Sequence, residues 1–123
     1  MTFGVTSCSE KKTDDAVKSY TYWADAPPQN DLKVIHGKYW QSANFTKEYI
    51  VYLELAASST WKEDFIKQNH LVLSKDELSI PTDAPSWFRF QKTIRVWKQN
   101  ENNQSQYIED LQTGHWFIFQ QQL

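Results

Sequence analysis

Residues 48–56 read Glu-Tyr-Ile-Val-Tyr-Leu-Glu-Leu-Ala, and no other stretch of the chain limits its fold as tightly. In an extended backbone successive side chains alternate between faces. Tyr49, Val51, Leu53 and Leu55 therefore share one face, and Ile50, Tyr52 and Glu54 share the other. Both faces are largely apolar or aromatic. A strand with one solvated side carries polar residues there, so this one predicts a central strand that needs cover on both sides.

Cover for one side follows at once, as a helix over residues 60–69. Thr60 and Glu63 have the spacing of a capping box, in which hydroxyl and carboxylate each satisfy a free backbone N–H. Asp64 adds negative charge near the positive end of the helix dipole. Trp61, Phe65 and Ile66 form a stripe that can face the sheet and pack on Leu53 and Leu55, and Asn69 suits the C-terminal end.

The remaining elements are shorter. Residues 32–40 alternate weakly (Leu32, Val34, then His36), and Gly37 suggests a bulge or bend. Residues 70–73 form a short apolar run, after which Pro81 and Pro85 prevent a long helix. Residues 92–98, 105–109 and 115–121 alternate as strands, joined by a polar turn at 100–104 and a tight loop at 110–114 whose Gly114 suits positive φ. Strands and helix do not alternate regularly, which disfavours parallel βαβ winding. The expected fold is α+β: an antiparallel sheet of about five strands, one main helix on a face, and a C-terminal three-stranded meander.

A chain of 123 residues has room for one core and not for two. Its six Trp, six Tyr and seven Phe suit that size, because each ring removes roughly 150–250 Å² from water and so helps offset chain entropy. The net charge of −2 gives no global field to draw nucleic acid or anionic lipid. No apolar run approaches the roughly 18–20 residues that span a bilayer.

The lone cysteine, Cys8, excludes an internal disulfide framework and a Cys-cluster zinc site. Val5-Thr6-Ser7-Cys8 resembles the lipobox of bacterial lipoproteins, and residues 9–18 read as the polar tether that such proteins place between lipid and domain. The resemblance implies lipidation of Cys8, a signal peptide truncated to Met1-Thr2-Phe3-Gly4, and an envelope location, periplasmic or at the cell surface. A chance match would leave a cytoplasmic protein. The expected organisation is a signal remnant and flexible tether over 1–18 and a single domain over 19–123, a monomer touching a membrane only through that lipid.

Catalytic signatures are absent from the sequence. His36, His70 and His115 have no metal-motif spacing, and no Gly-x-Ser-x-Gly elbow or phosphate-cradling glycine loop occurs. Asp14-Asp15 and Glu109-Asp110 are adjacent pairs; neighbouring strand residues point to opposite faces, which makes them poor acid–base partners. No catalytic residue, metal or cofactor is predicted. The candidate binding residues are Trp87, Phe88, Arg89, Arg95 and Trp97, in a proline-anchored aromatic segment. Its rings either form a recognition loop or fold down to close the core, and the need to close a small domain favours the second. Arg89, Lys92, Arg95 and Lys98 interleave with the rings in a manner suited to single-stranded nucleic acid, but the acidic balance of the chain argues against that partner. The expected function is a non-catalytic protein-binding module, of the inhibitor, immunity or adaptor type that the lipoprotein resemblance implies. The alternative is a small enzyme of hydrolase type whose acid–base residues, the histidines among them, converge only in the fold.

Overall fold

The computed structural model describes residues 10–43, 48–76, 78–99 and 105–123. Cys8 and the turn expected at 100–104 lie outside them. The elements run β1 (Lys11–Thr13), α1 (Ala16–Ala24), β2 (Leu32–Gln41), β3 (Tyr49–Ala57), α2 (Ser59–Gln68), β4 (Leu71–Leu73), β5 (Ile94–Gln99), β6 (Ser105–Asp110) and β7 (Trp116–Gln122). One antiparallel sheet joins the strands in the order β1-β2-β3-β7-β6-β5-β4. The α+β class stands, with seven strands rather than about five and two helices rather than one.

Strand order explains why the long connections exist. From the end of β3 the chain must cross β7, β6 and β5 to reach β4 at the far edge. At about 4.8 Å per strand that is roughly 19 Å, close to the ~15 Å length of a ten-residue helix. Helix α2 makes this crossing on one face. Strands β4 and β5 are neighbours, yet residues 74–93 separate them; that strap crosses the opposite face.

Each face of β3 accordingly meets its own cover. Val51, Leu53 and Leu55 are fully buried in a cluster with Tyr20 of α1, Trp61 of α2, and Tyr107, Trp116 and Ile118 of the meander. Trp61 stacks on Phe65, whose edge meets Tyr107 and Trp116, so the helix stripe packs as its spacing predicts. Tyr52 lies on the other face with Ile108, Phe117 and Phe119, closed by Phe88 of the strap. Beyond its rings the strap is held by polar bonds. Tyr52 Oη donates to Asp83, Gln106 Nε2 donates to the Ser79 carbonyl, and the Gln91 amide donates to Asp110.

Several boundaries differ from expectation, each for a local reason. Residues 11–18 are not tether: Lys11–Thr13 pairs with β2, and α1 begins at Ala16. Asp15 caps that helix by accepting from the Lys18 amide at 2.8 Å, and Asp25 ends it in the left-handed region. The cap of α2 is Ser58, whose Oγ accepts from the Trp61 amide, not the expected Thr60–Glu63 box. In β2 the pairing register shifts between Val34 and His36, placing Gly37 and Tyr39 on the helix side and His36 on the strap side. Gly114 takes the expected positive φ, at 80°.

Candidate functional site

The five candidate binding residues do not form one surface. Phe88 is buried in the strap-side core, edge-on to Tyr52 and Phe117. Trp87 is half-buried and lies flat on His36, and Arg89 is exposed. Arg95 and Trp97 come from β5 on the helix side of the sheet, where they line a cleft of about 290 Å³ under α2. Two of the basic residues are also compensated by acids from elsewhere in the chain: Arg95 pairs with Glu109, and Lys98 with Asp76. Sequence adjacency suggested a continuous patch; the strap carries the first three over one face of the sheet, whereas Arg95 and Trp97 of β5 lie on the other.

On the strap side the fold brings together residues that lie far apart in sequence. Glu54 of β3 sits opposite His36 of β2 and diagonal to His115, which precedes β7. His36 Nδ1 lies 2.9 Å from Glu54 Oε1, and His115 Nδ1 lies 2.8 Å from Glu54 Oε2. The carboxylate accepts from both, so each neutral ring would hold its proton on Nδ1 and its lone pair on Nε2. The three side chains are bonded to one another rather than turned toward a common point, and no metal-holding group of three occurs among the described residues. His70, the remaining histidine, stands apart at the exposed end of α2 with φ 54°.

Close by, Asp110 is 2% exposed and ties the strap to the β6–β7 hairpin. Its carboxylate accepts from the backbone amides of Gln91, Gln112 and Thr113. Burial alone would raise its pKa, but those bonds together with nearby His115 outweigh it and hold the carboxyl below its ordinary value.

On the opposite face lies a cleft of about 430 Å³ between α1 and α2. Its aromatic wall comprises Tyr20, Trp23, Trp61, Phe65 and Tyr107. Tyr20, Trp61 and Tyr107 are buried in the core, whereas Trp23 and Phe65 are half-buried and meet at 6.0 Å and 42°. The Trp23 indole N–H donates to Gln120 Oε1 at 2.8 Å, and Gln120 Nε2 donates to Tyr49 Oη at 2.8 Å. That chain fixes the Trp23 ring relative to the sheet. Around the rings stand the carboxamides of Gln29, Gln68, Asn69, Gln99 and Gln120. Asp31, Asp64 and Ala24 complete the lining among the described residues, and Asp31 also accepts from the Ser58 hydroxyl at 2.6 Å.

No family model, curated protein or solved structure matches this chain.

What the cleft can do therefore follows from its own chemistry. It offers ring surface, neutral hydrogen-bonding groups and two carboxylates, and among the described residues its lining contains no histidine, lysine, arginine, cysteine or serine. The sequence held a signal for it. Ala16, Tyr20 and Trp23 recur at helical spacing after Asp15, a preferred capping residue, and before Pro27-Pro28. The lipoprotein-like stretch before them conceals that helix, since tether and capped helix share the same polar residues.

Proposed function

We propose that the protein is a non-catalytic binding module whose ligand seat is the cleft between α1 and α2. One observation carries the reading: a half-buried Trp23, immobilised through Gln120, faces a ring of carboxamides in a concavity of ligand size. A volume of about 430 Å³ falls within the roughly 300–1,000 Å³ of small-molecule sites, and a side chain fixed before binding loses little entropy on binding. The protein partner expected from the sequence narrows to whatever group fits there, free or displayed by a larger molecule. The lipobox resemblance supports an envelope location with a lipid on Cys8.

A fragment library titrated into isotope-labelled protein tests this directly. Hits should shift the Trp23 indole resonance and the amides of residues 64–69. Hits confined to the His36–Trp87 surface, or spread without a focus, would overturn it.

A second reading, a hydrolase, is favoured by the contacts of Glu54 with His36 and His115. It requires turnover of ester or phosphate chromogenic substrates that Glu54→Gln abolishes. Neither the α1–α2 cleft nor the cleft lined by Arg95 and Trp97 includes these side chains.

A further inference from the structure

We infer that the α1–α2 cleft takes a neutral saccharide, an inference that rests on the binding reading above and names its ligand class. Charge is the first discriminator. With no cation among the described residues of the wall, a phosphate, carboxylate or nucleic acid would enter unpaired beside Asp31 and Asp64, at a desolvation cost none of those residues offsets. The ligand is neutral or cationic.

Hydrogen-bonding capacity decides between those two. A carboxamide presents both an acceptor and donors, as a hydroxyl does, so Gln29 and Gln68 match a polyol, and Asn69, whose Nδ2 donates to the Phe65 carbonyl, adds its Oδ1 as an acceptor. A cation offers no use for so many donors; it calls for carboxylates and a box of open ring faces. Here Tyr20, Trp61 and Tyr107 are committed to the core, which leaves only Trp23 and Phe65 with exposed ring surface. Asp31 is already engaged by Ser58. The side chains of Gln29, Gln68 and Asp64 are exposed and make no hydrogen bond among the described residues, so their groups are available to a ligand.

The ring geometry agrees with the polar groups. The Trp23 N–H is spent on Gln120, so the indole acts as a platform rather than a donor. Such a platform suits the apolar C–H face of a pyranose, whose hydroxyls project outward at the rim toward the amides. Asp64 can accept one of those hydroxyls in a charge-assisted bond.

The test uses glucose, galactose and N-acetylglucosamine and their linear trimers, with tetramethylammonium chloride as the cationic probe, each followed by shifts of labelled protein. Saccharide-induced shifts centred on Trp23 and Gln68 are expected. Gln68→Ala, an exposed change that should leave the melt unaltered, is expected to weaken saccharide binding about tenfold. Asp64→Asn keeps a hydrogen-bond acceptor and loses the charge, so saccharide affinity should fall by about three- to tenfold and persist, whereas binding of a cation should be lost. Tetramethylammonium shifts at Trp23 that Asp64→Asn removes, without any saccharide response, would overturn the ligand class and leave the cleft as the site. Saccharide shifts on the His36–Trp87 surface would overturn the site itself. No saccharide response, where fragments do bind the cleft, would sink the saccharide inference alone. Release of new reducing ends from a trimer would retain the ligand class and overturn the non-catalytic reading.

Discussion

A side chain at Gly37 would collide with Ser19: a Cβ there would stand 2.6 Å from the Ser19 Cβ and 2.9 Å from its Oγ. Ser19 is fully buried, so α1 lies directly on the backbone of β2 and the absence of a side chain at 37 permits it. Gly37→Ala should therefore lower stability by about 1–3 kcal/mol, the usual cost of overpacking, read as a shift in the urea midpoint. Ser19→Ala removes a buried hydroxyl that has no partner, and the midpoint should stay unchanged or rise.

Trp61 anchors the other helix. It is 8% exposed, stacked 5.0 Å from Phe65, and part of the cluster around Leu53 and Leu55. Trp61→Ala should cost about 3–5 kcal/mol in chemical denaturation, and an unaltered midpoint would mean α2 contributes little to the core.

Phe88 and Trp87 are adjacent and should behave differently. Phe88, 4% exposed, closes the strap-side core, so Phe88→Ala should cost about 3–5 kcal/mol. Trp87→Ala should cost only about 0.5–2 kcal/mol, because its ring is half-buried against His36. Equal and small losses in thermal melts would restore the segment as a free recognition loop.

Asp110 makes stability depend on acid. Its folded pKa lies below the ordinary aspartate value, so its contribution is full above about pH 4 and is lost as pH falls through the folded value. Asp110→Asn sets an amide NH₂ against a backbone N–H and should cost about 1–3 kcal/mol at neutral pH. The gap between wild type and variant should narrow steadily below about pH 4 in urea titrations; a constant gap would mean that charge at this position is irrelevant.

Local chemistry alone was enough to read β3, α2 and the last two strands of the meander. The alternation of residues 48–56 and the Trp61–Phe65–Ile66 stripe are properties of neighbours in sequence, and burial preserves them whatever the topology. Even there the cap moved from Thr60 to Ser58, because two hydroxyls two residues apart compete for the same helix end. β1 and β4, each three residues long, were not legible as strands, since such short segments are extended only by the partners they meet.

The sequence by itself determined that one strand would be buried on both faces, and that the rings would be needed to bury it. Only the tertiary structure decided which residues share a surface. Glu54 meets His36 and His115 through cross-strand register, and Trp23 meets Gln120 across 97 positions. A single register bulge in β2 put His36 on the strap side of the sheet. Such contacts depend on strand order and register, long-range outcomes of packing the whole sheet that no window of neighbouring residues encodes.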